Sequence, residues 1–176
     1  LRAVERGQLS LDADVNEHLQ TWRLPPGAQT GNNAVTLRRL LSHGAGLTVS
    51  GFEGYRPGEP VPGLAQVLDG LSPANSAPVR VDIPPGTQWR YSGGGYVVMQ
   101  QLLEDVSRQS FSVLMQREVL GPAHMRHSFF ASAKPLSGAR AAAAAVGYQQ
   151  GRVIPGGYRI HPESAAAGLW TTPSDL

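Results

Sequence analysis

The chain contains no cysteine. That excludes a disulfide framework and any thiolate site, and it leaves the redox compartment unassigned. Lysine is nearly absent too, with Lys134 the only one. No apolar run approaches the roughly 18 residues that a membrane-spanning helix needs. Charge of one sign is also missing. Fifteen basic against thirteen acidic residues give a formal net charge of +2. The basic residues are scattered rather than striped, which excludes the electrostatic footprint of a nucleic-acid binder. No internal repeat is present.

What is there fits one domain or a large piece of one. The chain has 176 residues, 41% of them hydrophobic, and domains run roughly 100–200 residues. Leu1 to Glu5 reads as helix, stopped by Gly7. Asp14 is placed to cap a short helix to Gln20, with Glu17 three residues on. Thr36 caps a helix over "LRRLLSH", in which Leu37, Leu40 and Leu41 share a face. "GAGLTVSGFEGYRPGEPVPG" is a long Gly/Pro loop, of the kind that often carries function. Leu64 to Leu71 reads as a short helix. "PVRVDIPPGTQW" is extended, and its prolines forbid a central strand. Tyr96, Met99, Leu103 and Val106 then recur at three- and four-residue steps, which predicts a helix. Ser110 is placed to cap another helix through Leu120, ended by Gly121-Pro122. "AAAAAVGYQQGRVIPGGYRI" predicts a helical or irregular run into a hairpin at Gln150-Gly151. At the other end Thr172, Pro173 and Asp175 have the spacing of a helix start. Beginning late in one helix and stopping early in another, residues 1–176 are expected to be a single partial domain.

The stretch with most chemical promise is "RYSGGGYVVM", residues 90–99. Ser92 suits a helix N-cap, because its hydroxyl accepts from the free amides of the first turn. Glycine at 93, 94 and 95 lets another group approach the backbone closely, and a helix N-terminus favours anions. One reading is a capped helix with tight packing beneath it. The other is a site wall, with the Tyr91 phenol projecting into a cleft. Other chemistries fail at these residues. Arg90 stands where a nucleophile elbow needs glycine. No lysine follows the glycines as in a P-loop, and Val98 falls where a dinucleotide fingerprint needs its third glycine. His124 and His127 are three apart with no carboxylate in step, short of the three ligands of a catalytic zinc.

Several segments in order carry a resemblance. "GQLSLDADVNEHL", "TLRRLLSHGAGL", "IPPGTQWRYSGGGYVVMQQLLEDVSRQSF", "LMQREVLGPAHMRHSFF" and "AAAGLWTTPSDL" resemble the beta-lactamase-related serine hydrolases. That family includes class C beta-lactamases, D,D-peptidases, D-aminopeptidases and esterases. The resemblance covers nearly the whole chain. Its more specific parts are "LLSHGAGL" and the Tyr-Ser-x-x-Gly-Tyr that follows.

The resemblance implies an α-rich α/β protein, the helical subdomain portion of the beta-lactamase/transpeptidase-like fold with a few short strands. It implies an acyl-enzyme reaction on a peptide, ester or beta-lactam, with no metal or organic cofactor. Tyr91 falls on the family's Tyr-x-Asn motif and takes the position of the proton-relaying base. Such a phenol, with an ordinary pKa near ~10, needs a cationic neighbour to act. Ser92 lies beside it. Gly93 stands where the family has asparagine, which removes a substrate contact and is expected to widen the cleft. Leu47 leads into the loop that borders the acyl-side pocket, and Gly168, Leu169 and Trp170 match the opposite wall. For these positions, loop and helix-entry residues are the competing reading. His43 matches a family histidine and reads as structural, holding loops together.

The family's Ser-x-x-Lys is missing. Lys134 has Ala131 three residues before it, so the chain alone is expected to be inactive and to need the remaining segments of its own domain. The expected partner is a small-molecule or peptide substrate, and the resemblance favours a periplasmic or secreted protein. Two other classes remain open: a non-catalytic binding relative of this fold, and a helical interaction module. The last predicts Tyr91 buried against core side chains.

Overall fold

The computed structural model describes residues 1–27, 29, 33–131 and 133–176. Its centre is helix α4, Gly93–Ser107, which follows α1 (Arg2–Glu5), α2 (Leu37–Leu41) and α3 (Leu64–Asp69). The expected stripe of Tyr96, Met99, Leu103 and Val106 is not its deepest face. Val97, Val98 and Leu102 are more deeply buried, and Gln100, Gln101 and Asp105 are buried with them. The reason is that α4 is packed on several sides, by α2 and α3 and by α7 (Ser164–Ala167). A helix so enclosed loses the one-sided pattern that periodicity detects. Leu19, Leu40, Leu47, Val67, Leu68 and Val79 complete the core around it, and burying each such side chain stabilises the fold by about 1.5–3 kcal/mol.

Local capping follows the sequence in places. Thr36 accepts from the Arg39 amide at the start of α2, and Ser92 accepts from Gly95 at the start of α4. Asp14 caps only a single 3-10 turn, Val15–Glu17, by accepting from Asn16. The expected helix to Gln20 stops there because the Gln20 and Thr21 amides bond to the Asp105 carboxylate instead. Ser110 does not cap α5 (Phe111–Met115); the Glu104 carboxylate accepts from Phe111 in its place. Beyond α5 the backbone widens into a π-turn, Gln116–Leu120.

The strands are short. β1 (Phe129–Phe130) pairs antiparallel with β4 (Leu169–Trp170), setting Phe129 opposite Trp170. Between them lie the exposed helix α6 (Gly138–Ala143) and a hairpin of β2 (Tyr148–Gln149) and β3 (Arg152–Val153). The hairpin turns at Gln150-Gly151 as the sequence predicts. Both residues have positive φ, 51° and 75°, the requirement of the two-residue turn that matches strand twist. Thr172 to Asp175 forms a turn, and the Asp175 carboxylate accepts from the His127 amide and the Ser128 hydroxyl. Among the described residues no helix is long and apolar enough to cross a membrane.

Candidate active site

The chain after α2 sets the floor of the site. His43 and Gly44 close that helix with paired bonds, from the His43 amide to Leu40 O (3.2 Å) and from the Gly44 amide to Arg39 O (2.8 Å). This closure puts its first residue in the left-handed region, where glycine is favoured. Histidine sits there instead, at φ +56°, a conformation that costs an L-residue about 1–2 kcal/mol. The same residue then reaches across to the start of α4. Its carbonyl accepts from the Arg90 amide at 2.9 Å, and its Nδ1 accepts from the Ser92 amide at 3.2 Å.

Tyr91 lies between those two bonds. Its ring centroid is 4.5 Å from that of His43, tilted by 40°. The residue is 51% exposed, so the buried placement expected of an interaction module is not found. Tyr96 lies on the same imidazole at 5.3 Å and Trp89 meets it edge-on at 6.0 Å. Tyr96 spends its hydroxyl on Leu41 O. Arg90, the nearest guanidinium in sequence, is paired with Asp82 and with Gly46 O, so its charge is already answered.

The glycines do their work against backbone. The amides of Gly93 and Gly94 donate to Ser50 O (3.2 Å) and Val49 O (3.0 Å). Ser92 is buried and donates to Thr48 O at 2.8 Å while accepting from Gly95. These first-turn amides are therefore committed, and the anion-binding role open to a free helix N-terminus is closed here. The expected widening at Gly93 is also absent. A Cβ there would lie 3.0 Å from Ser50 O and 3.4 Å from the Phe52 ring, so the loop already fills that space. Leu47 is buried in the core, where its Cδ1 lies 3.6 Å from a Cβ built at Gly95. Tyr91, Ser92, Gly93 and the loop after Leu47 thus come together, with the half-exposed Tyr91 beside the buried Ser92.

Gly168, Leu169 and Trp170 sit elsewhere. Gly168 is buried after α7, Leu169 is exposed, and Trp170 stacks parallel to Phe129 and edge-on to Tyr158. Gly168 and Trp170 line a small depression with Lys134, Tyr158 and His161, and neither Tyr91 nor His43 borders it. Behind it lies Glu163, which sequence reasoning missed. It is fully buried, its Oε2 is 3.5 Å from His161 Nδ1, and neither carboxylate oxygen has a hydrogen bond among the described residues. His43 was legible as a structural residue but not as Tyr91's neighbour. The available signal was a histidine standing where a helix stop favours glycine.

A family model described as Beta-lactamase matches residues 1–176. Esterase EstB of Burkholderia gladioli is 32% identical over 143 residues, covering 77% of this chain and 36% of the esterase. The D-amino acid amidase from Ochrobactrum anthropi SV3 superposes with a TM-score of 0.70 at 18% identity, over 98% of this chain and 48% of its own. The penicillin binding protein from Bacillus halodurans does so with a TM-score of 0.68 at 21% identity, over 99% and 51%. These two likenesses show the fold, helix-rich with few short strands. The chain spans 36% of the esterase's length and about half of each of the two solved chains.

Proposed function

The chain belongs to the beta-lactamase family, and on that premise we propose that the protein is a serine hydrolase of the acyl-enzyme type in which Tyr91 carries the proton. The observation that carries this reading is the placement of Tyr91: a half-exposed phenol on a corner whose flanking amides are both bonded to one residue. In the proposed cycle the serine Oγ attacks the substrate carbonyl and gives its proton to the Tyr91 phenolate. Tyr91 then passes that proton to the departing alcohol or amine. Water repeats the sequence to release the acid and restore the serine. A phenolate at neutral pH needs a cation beside it. Arg90 is engaged with Asp82, and no serine in residues 1–176 has lysine three positions on. The proposal therefore draws the serine and its lysine from protein outside these residues.

An ester or short peptide is the proposed substrate class. The similarity to an esterase supports it. So does Gly93, which offers neither the donor nor the acceptor of the family's asparagine. A hydrogen bond to a charged group is worth about 1.5–3 kcal/mol, so its loss slows beta-lactam turnover by roughly tenfold to a hundredfold.

The test is Tyr91→Phe in the full-length protein, assayed with a p-nitrophenyl ester and a chromogenic cephalosporin. General acid–base assistance is worth about 10²–10⁴-fold, so kcat on the ester should fall within that range while the fold persists. Unchanged turnover removes Tyr91 from the mechanism. Wild-type kcat/KM that is higher on the cephalosporin than on the ester rejects the substrate class.

A further inference from the structure

His43 touches no reacting atom in the cycle above, yet three features of it converge on Tyr91. Its carbonyl and Nδ1 take the amides of Arg90 and Ser92, the residues on either side of Tyr91. Its ring lies 4.5 Å from the phenol ring. Its backbone occupies a left-handed position, φ +56°, better suited to glycine. A glycine would close α2 equally well and would offer Arg90 the same carbonyl. What it would not supply is the ring or the Nδ1 acceptor. Strain held at one residue points to a task for its side chain, and among the described residues the hydrogen-bond and aromatic partners of that ring are Ser92, Trp89, Tyr91 and Tyr96.

We propose that His43 is a positioning residue for Tyr91, acting as a neutral imidazole with its proton on Nε2. Because Nδ1 accepts from the Ser92 N–H, the ring hydrogen belongs on the other nitrogen. The imidazole face then limits the swing of the phenol, and the Ser92 bond limits the backbone beneath it. The proposal rests on Tyr91 being the proton carrier, where a misplacement of about 1 Å costs on the order of 10²-fold in rate.

The experiment compares His43→Gly, His43→Asn and Tyr91→Phe with wild type in the full-length protein. Three quantities are read: kcat and KM on a p-nitrophenyl ester, Tm, and hydrogen exchange of the Ser92 amide. His43→Gly should lower kcat by roughly tenfold or more with KM little changed. Its Tm should stay close to that of wild type, because relief of the left-handed strain offsets the lost acceptor of the Ser92 amide. Ser92 should exchange faster. His43→Asn tolerates the left-handed backbone and offers an acceptor in place of Nδ1. It should restore Ser92 protection and part of kcat. A His43→Gly protein with wild-type kcat overturns the proposal, and so does one whose kcat loss comes with a large fall in Tm that His43→Asn does not reverse, since a structural role then explains the loss. Unchanged Ser92 exchange in His43→Gly overturns the hold itself. If Tyr91→Phe keeps full kcat, the reading of Tyr91 falls and takes the catalytic part of this proposal with it, while Ser92 exchange still reports the hold separately.

Discussion

The two ends of α4 are secured by opposite means. At its start the helix presents bare backbone. Gly93 and Gly94 donate to the carbonyls of Ser50 and Val49, and the buried Ser92 hydroxyl ties Thr48 to Gly95. At its end carboxylates do the work. Asp105 accepts from the Gln20 and Thr21 amides, the Thr21 hydroxyl and Gln101, and Glu104 accepts from Phe111. Acidic groups in a last turn oppose the helix dipole, so these two are explained by their hydrogen bonds and not by long-range charge. Bare backbone allows a loop to sit at contact distance, with the Tyr91 side chain half-exposed beside it. Carboxylates can reach a segment more than eighty residues away in sequence. One end is built for access and the other for anchorage.

Breaking the anchor should have the larger effect on stability. Asp105→Ala removes the shared acceptor of the Gln20 and Thr21 amides, the Thr21 hydroxyl and the buried Gln101 side chain. Hydrogen bonds to a charged partner contribute about 1.5–3 kcal/mol, so a loss of at least that size is expected in urea unfolding. A loss below about 0.5 kcal/mol, the range of ordinary surface changes, would show that water replaces the carboxylate and that the end is not an anchor.

The access end is probed by neighbouring glycines. A Cβ at Gly94 would lie 2.8 Å from Thr48 O and 2.9 Å from Val79 Cγ2. Gly94→Ala should therefore destabilise by about 1–3 kcal/mol, the usual range of overpacking, and should reduce ester turnover by shifting the loop under Tyr91. A Cβ at Gly95 meets nothing nearer than Leu40 Cδ2 at 3.4 Å. Gly95→Ala should stabilise by up to about 0.5–1 kcal/mol, because alanine loses less entropy in a helix. Equal effects at the two positions would refute close approach as the reason for glycine at 94.

The smallest effect concerns a carboxylate outside α4. Hydrogen bonds from Arg6 and then Arg117 hold the Glu118 carboxyl down at about 2, from an ordinary value of 4.5. A depressed folded-state value gives stability that is present above the unfolded value and lost as pH falls toward the folded one. Tm should therefore drop between about pH 4.5 and 2, and Glu118→Gln should flatten that part of the profile. Both arginines are half-exposed, so solvent screening keeps the effect modest. Parallel profiles for the two proteins would assign the acid loss to other groups.

Several elements could be read from the sequence because their causes lie within a few residues. Thr36 and Ser92 find their amides three positions on. Gln150-Gly151 makes a hairpin because those two residues tolerate positive φ. Tyr91 was legible as a position through an ordered set of segments, and its surroundings were not. Glycine at 93 suggested open space, yet Ser50 and Phe52 fill it. The stripe through Met99 and Leu103 suggested one buried face, yet Val97, Val98 and Leu102 lie deeper.

By itself the sequence determined where α2 and α4 start and where the hairpin turns, and it singled out the tyrosine proposed as proton carrier. Those outcomes depend on φ preferences and on hydrogen bonds between near neighbours, which act before the chain has a shape. Tertiary structure alone decided that Asp105 would hold Thr21, that Glu163 would be enclosed beside His161, and that the His43 ring would lie against Tyr91. Each of those pairings depends on which segments packing brings together, and the energy of a contact exists only once its partner has arrived.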